Sequence, residues 1–352
     1  MEFRHFRNLT DARWEPGVGR HLLLGSNGAG KTSVLESIYL LATTKSFRTP
    51  RLEECRRHGE DGFGIKGRVE SSSRYDLETR WTPDGCRRLM NGNAVSSSRY
   101  LETLPVISWS AADLKVMDGS PGDRRRFLDQ GVVAQRPASL EVLSRYRRCL
   151  EQKRELLRQG GRGLDVWNEL LSQAGAELMN RRSAFVVELA RCLEAIVETV
   201  EIDLPKVSLR YRPSLTLSET TAQNVLLALE AERQREIEQQ RAVAGPHRDE
   251  LEISWADVEI SKIASAGEKK LFGILLCAAR GRVLSDGGRP PVVLLDDVDA
   301  ELDRERLVAV WKLFVSSPQI IASTCHEAVV DALPEVDVWA LEQGSIGTSL
   351  IS

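Results

Sequence analysis

Long hydrophobic runs are missing from this sequence. Its longest apolar stretches, such as residues 274–279, fall well short of the ~18 residues that a membrane helix needs. No apolar stretch follows Met1, so we expect no secretory signal. The six cysteines lie far apart and form neither a CxxC pair nor a zinc-ligand spacing, which favours free thiols in a reducing compartment. We therefore expect a cytoplasmic protein without a membrane segment.

An excess of positive charge is also missing. Lysine and arginine total 48 against 51 aspartate and glutamate residues, which gives a formal net charge of −3. This balance excludes a nucleic-acid binder that is basic over its whole surface, but it allows local basic patches. Apolar residues at 42% and charged residues at 28% are ordinary for globular chains. The length corresponds to about two domains, or to one domain with a large insertion.

The first part of the chain alternates between strand and helix patterns. Residues 1–24 have β character and end in three leucines, residues 25–30 form a glycine-rich turn, and apolar residues recur at helical spacing from Lys31. Residues 62–90 alternate polar and apolar side chains between turn residues, which predicts an antiparallel meander. We expect a strand over residues 105–109 to close that meander.

The middle of the chain is helical and rich in charge. From Asp123 onward, apolar residues recur at helical spacing in residues 138–159, 167–182 and 224–241. None of these segments keeps a heptad pattern long enough for an extended coiled-coil arm. A short strand or linker is expected at residues 207–211.

Mixed α and β character returns after Gly245. We expect a helix from about Ala266, another helix over residues 303–315, and strands over residues 292–295 and 319–323. Both strands are apolar on their two faces, which is typical of a buried and largely parallel sheet.

The fold class is therefore α/β. We predict a discontinuous first domain from residues 1–118 and 242–352, in which a mixed sheet is accompanied by the antiparallel meander. A mostly helical domain is expected as an insertion at residues 119–241.

One segment matches the phosphate-loop pattern G-x-x-x-x-G-K-[ST] and lies between a predicted strand and a predicted helix, as this motif requires. Its glycines allow successive backbone N–H groups to face phosphate oxygens at the positive end of the helix. The lysine would reach the β- and γ-phosphates of ATP, and the threonine would offer its hydroxyl to Mg²⁺. A flexible glycine turn is the alternative interpretation. The segment consists of Gly25, Ser26, Asn27, Gly28, Ala29, Gly30, Lys31 and Thr32.

A second segment supplies carboxylates. The apolar residues 292–295 are followed by Asp296 and Asp297. A bound triphosphate needs a carboxylate for Mg²⁺, and side chains alternate along a strand, so the two acids need not share a role. We assign Asp296 to the metal, and Asp297 to catalysis, where it polarises the attacking water while Lys31 holds the phosphates. The alternative is a strand that ends in a solvated acidic turn.

A third segment, Ser265-Ala266-Gly267-Glu268, precedes an apolar helix. Ser265 or Gly267 could cap this helix, and Glu268 is also placed for a capping role. In a chain with both phosphate motifs, the helix start could instead face the γ-phosphate that is held by a second copy of the chain. The segment alone does not decide between these two roles.

The order of these segments is similar to that in the ATP-binding-cassette heads of SMC proteins, and further segments narrow the resemblance to the RecF family of bacterial DNA replication and repair proteins. The resemblance covers nearly the whole chain, from Arg7-Asn8 to beyond Asp303. Besides the phosphate loop, it is carried by Lys45-Ser46-Phe47-Arg48, Asp113-Leu114, Gly119-Ser120-Pro121, Arg124-Arg125-Arg126-Phe127-Leu128-Asp129, Gly245-Pro246-His247-Arg248-Asp249, Asp296-Asp297-Val298 and Glu301-Leu302-Asp303.

The resemblance implies an ATP-dependent protein of recombinational repair that binds double-stranded and gapped DNA. In that family, ATP closes a head-to-head dimer and slow hydrolysis releases it, while RecR and RecO assist in loading RecA onto single-stranded DNA. Carried over by position, Ser265 and Gly267 form the signature that acts across the dimer, and residues 300–303 form the loop across it. Hydrolysis is then expected to be weak and stimulated by DNA.

Two departures from the family pattern stand out, and one histidine invites two interpretations. Glu268-Lys269-Lys270 replaces the usual Gln-Gln-Arg after the signature glycine, and Ala300 replaces a serine of the dimer loop. An acid near a bound γ-phosphate is unfavourable unless it points away or pairs with a lysine. His326 follows a predicted strand and could reach the γ-phosphate, or it could be an ordinary surface histidine.

Arginine clusters are the candidate DNA contacts. They are Arg124, Arg125 and Arg126, followed by Arg145, Arg147, Arg148, Arg181 and Arg182 in the helical domain. A dimer would double such a patch, and we hypothesise that DNA is gripped through its phosphates with little reading of bases. The alternative is that these side chains lie on solvated helix faces with acidic neighbours, or that residues 124–126 are structural.

Other function classes fit less well. A transport ATPase subunit shares the cassette fold and is the main alternative, but the meander, the long helical insertion and the lack of a glutamine in residues 105–118 disfavour it. A metal-dependent nuclease would need clustered metal ligands, which Asp113 and His247 alone do not provide. A chromosome-organising protein would need long arms.

Overall fold

The computed structural model of the protein describes residues 1–70, 73–200, 206–256, 258–299, 304–314, 316–333 and 335–349. The chain forms two compact units. The first unit contains Met1–Leu114, Ala195–Asp203 and Ser265–Ser352, and the second contains Lys115–Glu194 and Leu204–Ala264. Residues 242–264, which the sequence analysis assigned to the first domain, therefore lie in the second unit.

The strands are numbered along the chain. They are β1 Glu2–Arg4, β2 Gly19–Leu24, β3 Phe63–Glu70, β4 Arg74–Thr82, β5 Gly85–Met90, β6 Asn93–Ala94, β7 Val106–Trp109, β8 Val207–Arg212, β9 Glu250–Trp255, β10 Val258–Glu259, β11 Val292–Leu295, β12 Gln319–Thr324, β13 Asp337–Glu342 and β14 Ser345–Ser349.

The helices are numbered in the same way. They are α1 Lys31–Thr43, α2 Ser97–Thr103, α3 Lys115–Asp118, α4 Pro121–Gln135, α5 Ser139–Arg158, α6 Leu164–Thr199, α7 Ala222–Ala231, α8 Arg233–Gln239, α9 Ile260–Ile263, α10 Ala266–Asp286 and α11 Arg304–Lys312.

A six-stranded sheet positions the candidate site in the first unit. Its order is β14-β13-β2-β12-β11-β7, and all neighbouring pairs are parallel except β13 with β14. The carboxyl ends of β2, β11 and β12 therefore lie side by side at one edge of the sheet. The phosphate loop follows β2, the two aspartates follow β11, and His326 follows β12. Polar residues from three distant parts of the sequence meet at the edge where α/β sheets bind ligands.

The placement of β7 corrects one expectation. The sequence analysis joined residues 105–109 to the meander, whereas β7 pairs in parallel with β11, from Val106 opposite Val292 to Trp109 opposite Leu295. All four residues of β7 are buried. A strand that is buried on both faces fits a parallel sheet that is covered on both sides, here as its last strand, and not a meander with one face in solvent.

The predicted meander is present as a five-stranded antiparallel sheet in the order β1-β3-β4-β5-β6. The addition of β1 was not predicted. One face of this sheet packs on the core of the first unit through Phe3, Ile65 and Leu77, each of which is at most 2% exposed. The helix α1 belongs to the same core, and nearly all of its residues are buried.

The second unit is mainly helical, as predicted for the middle of the chain. Helices α5, α6 and α7 enclose an apolar cluster that includes Leu143, Leu171 and Val225. A three-stranded antiparallel sheet in the order β10-β9-β8 belongs to the same unit. The predicted strand at residues 207–211 is therefore β8 of this sheet.

Candidate functional site: a phosphate loop with paired carboxylates

The phosphate loop has the backbone that its glycines predict. Gly28 and Gly30 have φ angles of 83° and 113°, in the left-handed region that favours glycine. Gly25 lies so close to β13 that a Cβ atom would come within 2.4 Å of the carbonyl oxygen of Leu341. The helix α1 begins directly after the loop at Lys31. The loop therefore presents backbone N–H groups at the positive end of a buried helix.

Lys31 is held inside the loop. Its side chain is 5% exposed, and its Nζ donates to the carbonyl oxygens of Gly25 at 2.7 Å and Ser26 at 3.1 Å. Both partners are neutral, so the positive charge is not cancelled by a carboxylate. The ammonium group is thus oriented at the place where the loop would hold phosphates.

Asn8 supports the loop from outside. Its side-chain nitrogen donates to the carbonyl oxygen of Gly28 at 2.8 Å, and its side-chain oxygen accepts from Ser33 Oγ at 2.8 Å. Asn8 thus ties the turn to the first residues of α1. This contact could not be predicted, because nothing near Arg7-Asn8 in the sequence indicates a contact to a loop twenty residues away.

Thr32 and Asp296, both candidate metal ligands, lie side by side. Thr32 Oγ1 donates to Asp296 Oδ1 at 2.9 Å, and Ser323 Oγ at the end of β12 donates to the same oxygen at 2.8 Å. Burial raises the pKa of Asp296, the neighbouring Asp297 acts in the same direction, and the two hydroxyl donors act against them. Two oxygen donors for a hard cation therefore meet beside the phosphate loop.

Asp297 is held by its backbone. It has a φ angle of 46°, its N–H donates to Ser323 Oγ at 2.9 Å, and its carbonyl oxygen accepts from Lys270 Nζ at 3.0 Å. Aspartate tolerates this left-handed conformation better than most residues. Lys270 is 7% exposed and lies 6.0 Å from the centre of the Trp109 ring. The departure from the family pattern at Lys270 therefore serves to position the loop that carries Asp297.

A buried carboxylate on α1 organises two arginines beside the loop. Glu36 is fully buried and accepts from Arg7 Nε and Nη2 at 2.9 and 2.8 Å and from Arg48 Nη1 at 3.3 Å. Arg48 was named only as part of a family motif, and no contact between either arginine and Glu36 was predicted. The three residues are separated by long stretches of chain, and helical spacing alone marks Glu36 as one more residue of α1.

Lys31, Thr32 and Asp297 line one cleft of about 680 Å³ in the first unit. Basic residues also line it, whereas neither Ser265 nor Gly267 does. The cleft is of the size that small-molecule sites usually have. The basic lining residues are Arg7, Arg48, Arg56, Arg57 and His58.

The segment Ser265–Glu268 forms a complete capping box on α10. Ser265 Oγ accepts from the backbone N–H of Glu268 at 3.4 Å, and the Glu268 carboxylate accepts from the Ser265 N–H and hydroxyl at 2.7 and 2.6 Å. Hydrogen bonds from Ser265 lower the pKa of Glu268. The capping role that the sequence left open is thus real, and it directs the carboxylate of Glu268 toward its own helix start.

His326 is exposed, and its Nε2 lies 4.0 Å from Asp299 Oδ2. It therefore follows β12 at the site edge of the sheet, as expected, but among the described side chains it pairs with Asp299 and does not line the cleft. The dimer-loop residues 300–303, including the departure at Ala300, lie outside the described residues.

Two of the three arginines at 124–126 are used inside the second unit. Arg124 binds Glu250 through two hydrogen bonds of 2.6 and 3.0 Å, and Arg125 donates to the carbonyl oxygen of Asp249 at 3.0 Å. Only Arg126 points largely into solvent, where it pairs with Asp123. The structural alternative therefore holds for Arg124 and Arg125, because buried guanidinium groups need internal acceptors.

The later arginines divide in the same way. Arg182 is buried and binds Asp129 and Asp249, whereas Arg145 and Arg147 are exposed and pair with Glu177 and Asp129. Arg181 also pairs with Glu177, and Arg148 is exposed. Most of the basic clusters in the sequence are thus balanced by acids in the fold.

Three general features apply to the described residues. No helix among the described residues is long and apolar enough to cross a membrane. All six cysteines are free, and Cys55, Cys149, Cys192 and Cys277 are buried. In the same described part of the chain, no group of three or more His, Cys, Asp or Glu side chains forms a metal cage.

Comparison with known sequences places the chain among DNA repair proteins. The profile of the RecF/RecN/SMC N terminal domain family matches residues 1–343. The DNA replication and repair protein RecF of Chlorobium limicola is 32% identical over 356 residues, which cover 96% of this chain and 97% of the relative. The RecF of Acidothermus cellulolyticus is 33% identical over 324 residues, 87% of each chain.

Solved structures share the fold. A structure described as the recombination mediator protein RecF with ATP, in the RecFOR pathway, matches with a TM-score of 0.89 at 24% identity and covers 99% of this chain and 96% of that one. An Smc head domain from Pyrococcus furiosus matches with a TM-score of 0.54 at 16% identity, covering 99% and 95%. The fold agrees with the family profile and the relatives above. The chain belongs to the RecF family of DNA replication and repair proteins.

Proposed function

We propose that this protein is an ATP-switched DNA-binding factor of recombinational repair and replication restart. The observation that carries the proposal is the hydrogen bond from Thr32 to Asp296, which joins the phosphate loop to the carboxylate strand, with Asp297 next in the chain. A nucleotide-binding cassette needs this junction, and the relatives named above are DNA replication and repair proteins. Family membership does not favour the transport alternative.

ATP is the expected ligand of the cleft. Gly25 to Thr32 would hold its phosphates, with Lys31 as the counter-charge, and a solved structure of the same fold is described as RecF with ATP. The donor set at Thr32 and Asp296 suits Mg²⁺, which prefers oxygen ligands and is usually held by one or two protein groups plus phosphate. When bound, Mg²⁺ would neutralise charge on the phosphates.

Asp297 is the candidate for polarising the attacking water. Asp297 lines the cleft, while its backbone is fixed by Ser323 and Lys270. Asp296 cannot easily share this role, because one of its oxygens already accepts from two hydroxyl groups. We expect slow turnover, since the product of such a switch is a change of conformational state.

Two copies of the chain would close on the nucleotide. Ser265 and Gly267 at the start of α10 do not line their own cleft, so the signature role requires the γ-phosphate of another copy. The ionised Glu268 opposes such an approach, although its carboxylate faces Ser265. We therefore expect closure to be weak with ATP alone and to be completed when DNA bridges the two heads.

Double-stranded and gapped DNA, RecR and RecO are the proposed partners, and the cytoplasm is the proposed location. In this role the closed dimer would mark a single-strand gap for the loading of RecA. These partners are proposed from family membership.

The test is ATP hydrolysis with Mg²⁺, measured with and without a gapped duplex. We expect a slow rate that DNA raises, and we expect Lys31→Ala to abolish nucleotide binding because it removes the phosphate counter-charge. A parent protein that binds ATP but neither binds DNA nor responds to it would contradict the proposed function. Co-purification with a membrane permease would support the transport alternative instead.

A further inference from the structure

The outer face of the five-stranded sheet carries a row of arginines. Arg4 on β1 pairs with Gly64 on β3, Gly64 pairs with Arg80 on β4, and Arg80 pairs with Arg87 on β5. Residues that lie directly opposite each other in an antiparallel sheet point to the same face. All three arginines are exposed, whereas the adjacent residues Phe3, Ile65 and Thr79 on the other face are buried. We call Arg4, Arg80 and Arg87 the arginine row.

Other basic residues on this face are neutralised. Lys66 pairs with Glu78 at 3.4 Å, Arg68 with Asp76 at 3.0 Å, and Arg74 with Glu70 at 3.8 Å. In this part of the sheet face, each cation therefore lies beside an acid.

The arginine row is not balanced in this way. Arg80 shares Glu78 with Lys66, and among the described residues no acidic side chain pairs with Arg4 or Arg87. Arg80 and Arg87 lie directly opposite each other, an arrangement of like charges that disfavours the sheet. The row therefore carries more positive charge than the neighbouring acids balance, because Glu78 also pairs with Lys66.

Gly64 lies between Arg4 and Arg80 on this face, although packing does not require a glycine there. It lies in the interior of β3, where glycine weakens a strand, and its φ is not in the left-handed region. A Cβ atom added there would meet nothing closer than Arg80 Cγ at 3.9 Å and Arg4 Cβ at 4.0 Å. Packing therefore does not require a glycine at this position. Because Gly64 has no side chain, the sheet surface between Arg4 and Arg80 is uncovered. Interior glycines of this kind often mark a close approach by a ligand.

We propose that the arginine row binds the phosphate backbone of duplex DNA. The row spans four strands, which is ~14 Å at ~4.8 Å per strand. A DNA duplex presents one charge per ~1.7 Å of its axis, so several phosphates lie within that span. The guanidinium fork matches phosphate oxygens in geometry and charge.

An acidic protein segment is the less suitable occupant. Stable protein interfaces depend on apolar and aromatic anchors. On β3 and β4, the outer face presents glycine, charged residues and Thr82. Tyr75 and Trp81 lie on the other face. Such a surface favours a polyanion that is recognised through its charge. The inference rests on the proposed function and assigns the surface that carries out its DNA-binding step.

The experiment compares two triple variants of the full chain. The row variant carries Arg4→Gln, Arg80→Gln and Arg87→Gln. The control variant carries Lys66→Gln, Arg68→Gln and Arg74→Gln, which removes the same charge from the ion-paired positions of the same sheet face. Binding of a mixed-sequence duplex is measured with ATP and Mg²⁺ as a function of salt between about 50 and 200 mM.

In the row variant, the slope of log affinity against log salt should fall in magnitude by about 0.9 per lost contact, and so by close to 3 for the row. The control variant should lose less than one such contact. Both variants should keep the thermal unfolding midpoint and the DNA-independent ATP hydrolysis rate of the parent, since neither set lies in the cleft.

The outcomes separate this inference from the proposed function. A row variant that binds DNA as the parent does, or two variants that weaken binding equally, would overturn the arginine row as the contact surface while leaving DNA binding intact. If the row variant binds DNA as the parent does, an acidic protein segment becomes the expected partner of the arginine row. A parent that binds no DNA with ATP present would overturn both the inference and the proposed function.

Discussion

Buried charges in the second unit neutralise one another, whereas the charges of the phosphate loop in the first unit are held by neutral groups. Arg182 lies between the carboxylates of Asp129 and Asp249, and Lys153 lies 2.7 Å from Glu236 with both side chains fully buried. Lys31 instead donates to two carbonyl oxygens, and Asp296 accepts from two hydroxyl groups.

This difference separates a scaffold from a binding site. A buried ion pair satisfies both partners and leaves nothing for a ligand, although removing one partner is costly. A charge that is held by neutral donors or acceptors is oriented and partly desolvated, but it keeps its net charge for a phosphate or a cation. Substitutions in the second unit should therefore affect stability, and substitutions in the cleft should affect binding and turnover.

Asp297→Asn tests the cleft side of the comparison. Turnover of ATP should fall by about 10²-fold or more, the range that a positioned catalytic base contributes. ATP binding should remain, since Asn also tolerates a left-handed φ and the backbone contacts to Ser323 and Lys270 are kept. Single-turnover hydrolysis and nucleotide-binding titrations would measure the two effects.

Asp296→Asn is the matched comparison for that variant, because it should weaken binding of ATP with Mg²⁺ and not turnover alone. If Asp297→Asn hydrolyses ATP at the parent rate, the assignment of the polarising carboxylate is wrong.

Arg182→Met tests the scaffold side. The change leaves Asp129 and Asp249 buried without their cation, and it should lower the free energy of unfolding by about 3–5 kcal/mol. Burial alone would lower the pKa of Arg182, but the two carboxylates raise it, so the side chain is charged at any ordinary pH. Chemical denaturation followed by circular dichroism would measure the loss.

Arg126→Met is the control, since Arg126 is exposed and, among the residues that the structure describes, pairs with Asp123 on its own helix. It should change stability by less than about 1 kcal/mol. Equal losses in the two variants would contradict the distinction between buried and exposed arginines.

His247 gives the smallest effect near neutral pH and sharpens the comparison at lower pH. Its Nδ1 lies 2.8 Å from the hydroxyl oxygen of Tyr146, and burial, aided by Arg154 and Arg248, lowers its pKa to about 3. The unfolded chain takes up this proton near the ordinary pKa of about 6.5, whereas the folded chain does not. Stability from this residue is therefore complete above pH 6.5 and is lost as pH falls toward 3, by at most about 1.4 kcal/mol per pH unit.

Urea midpoints measured at several pH values for the parent and for His247→Gln would test this effect. The variant should lose stability less steeply between pH 6.5 and 3, the unfolded and folded pKa values of His247. His58→Gln, at an exposed position, should retain the parent profile. A His247→Gln profile as steep as that of the parent would show that this histidine does not contribute.

Local sequence patterns were sufficient for much of the site. The phosphate loop and the two aspartates could be predicted because each lies at a strand end and has a fixed spacing or a buried run before it. The supporting contacts could not be predicted, since Asn8 reaches Gly28 and Arg7 reaches Glu36 only after the chain has folded.

The errors also have physical causes. We predicted β7 as part of the meander because β7 directly follows the meander in the sequence. Its four consecutive buried residues are better suited to a parallel sheet. The arginines at 124 and 125 stood out as a charge run, and sequence alone could not reveal that Glu250 and the Asp249 carbonyl bind them. The arginine row was not visible before the pairing of β1, β3, β4 and β5 was known.

Sedimentation velocity tests most directly whether ATP joins two copies of the chain around DNA. Asp297→Asn would be measured alone, with ATP and Mg²⁺, and with ATP, Mg²⁺ and a gapped duplex. We expect a monomer alone, partial association with nucleotide, and a complex of two chains on one DNA when all components are present. A chain that remains single at saturating ATP and DNA would contradict the account.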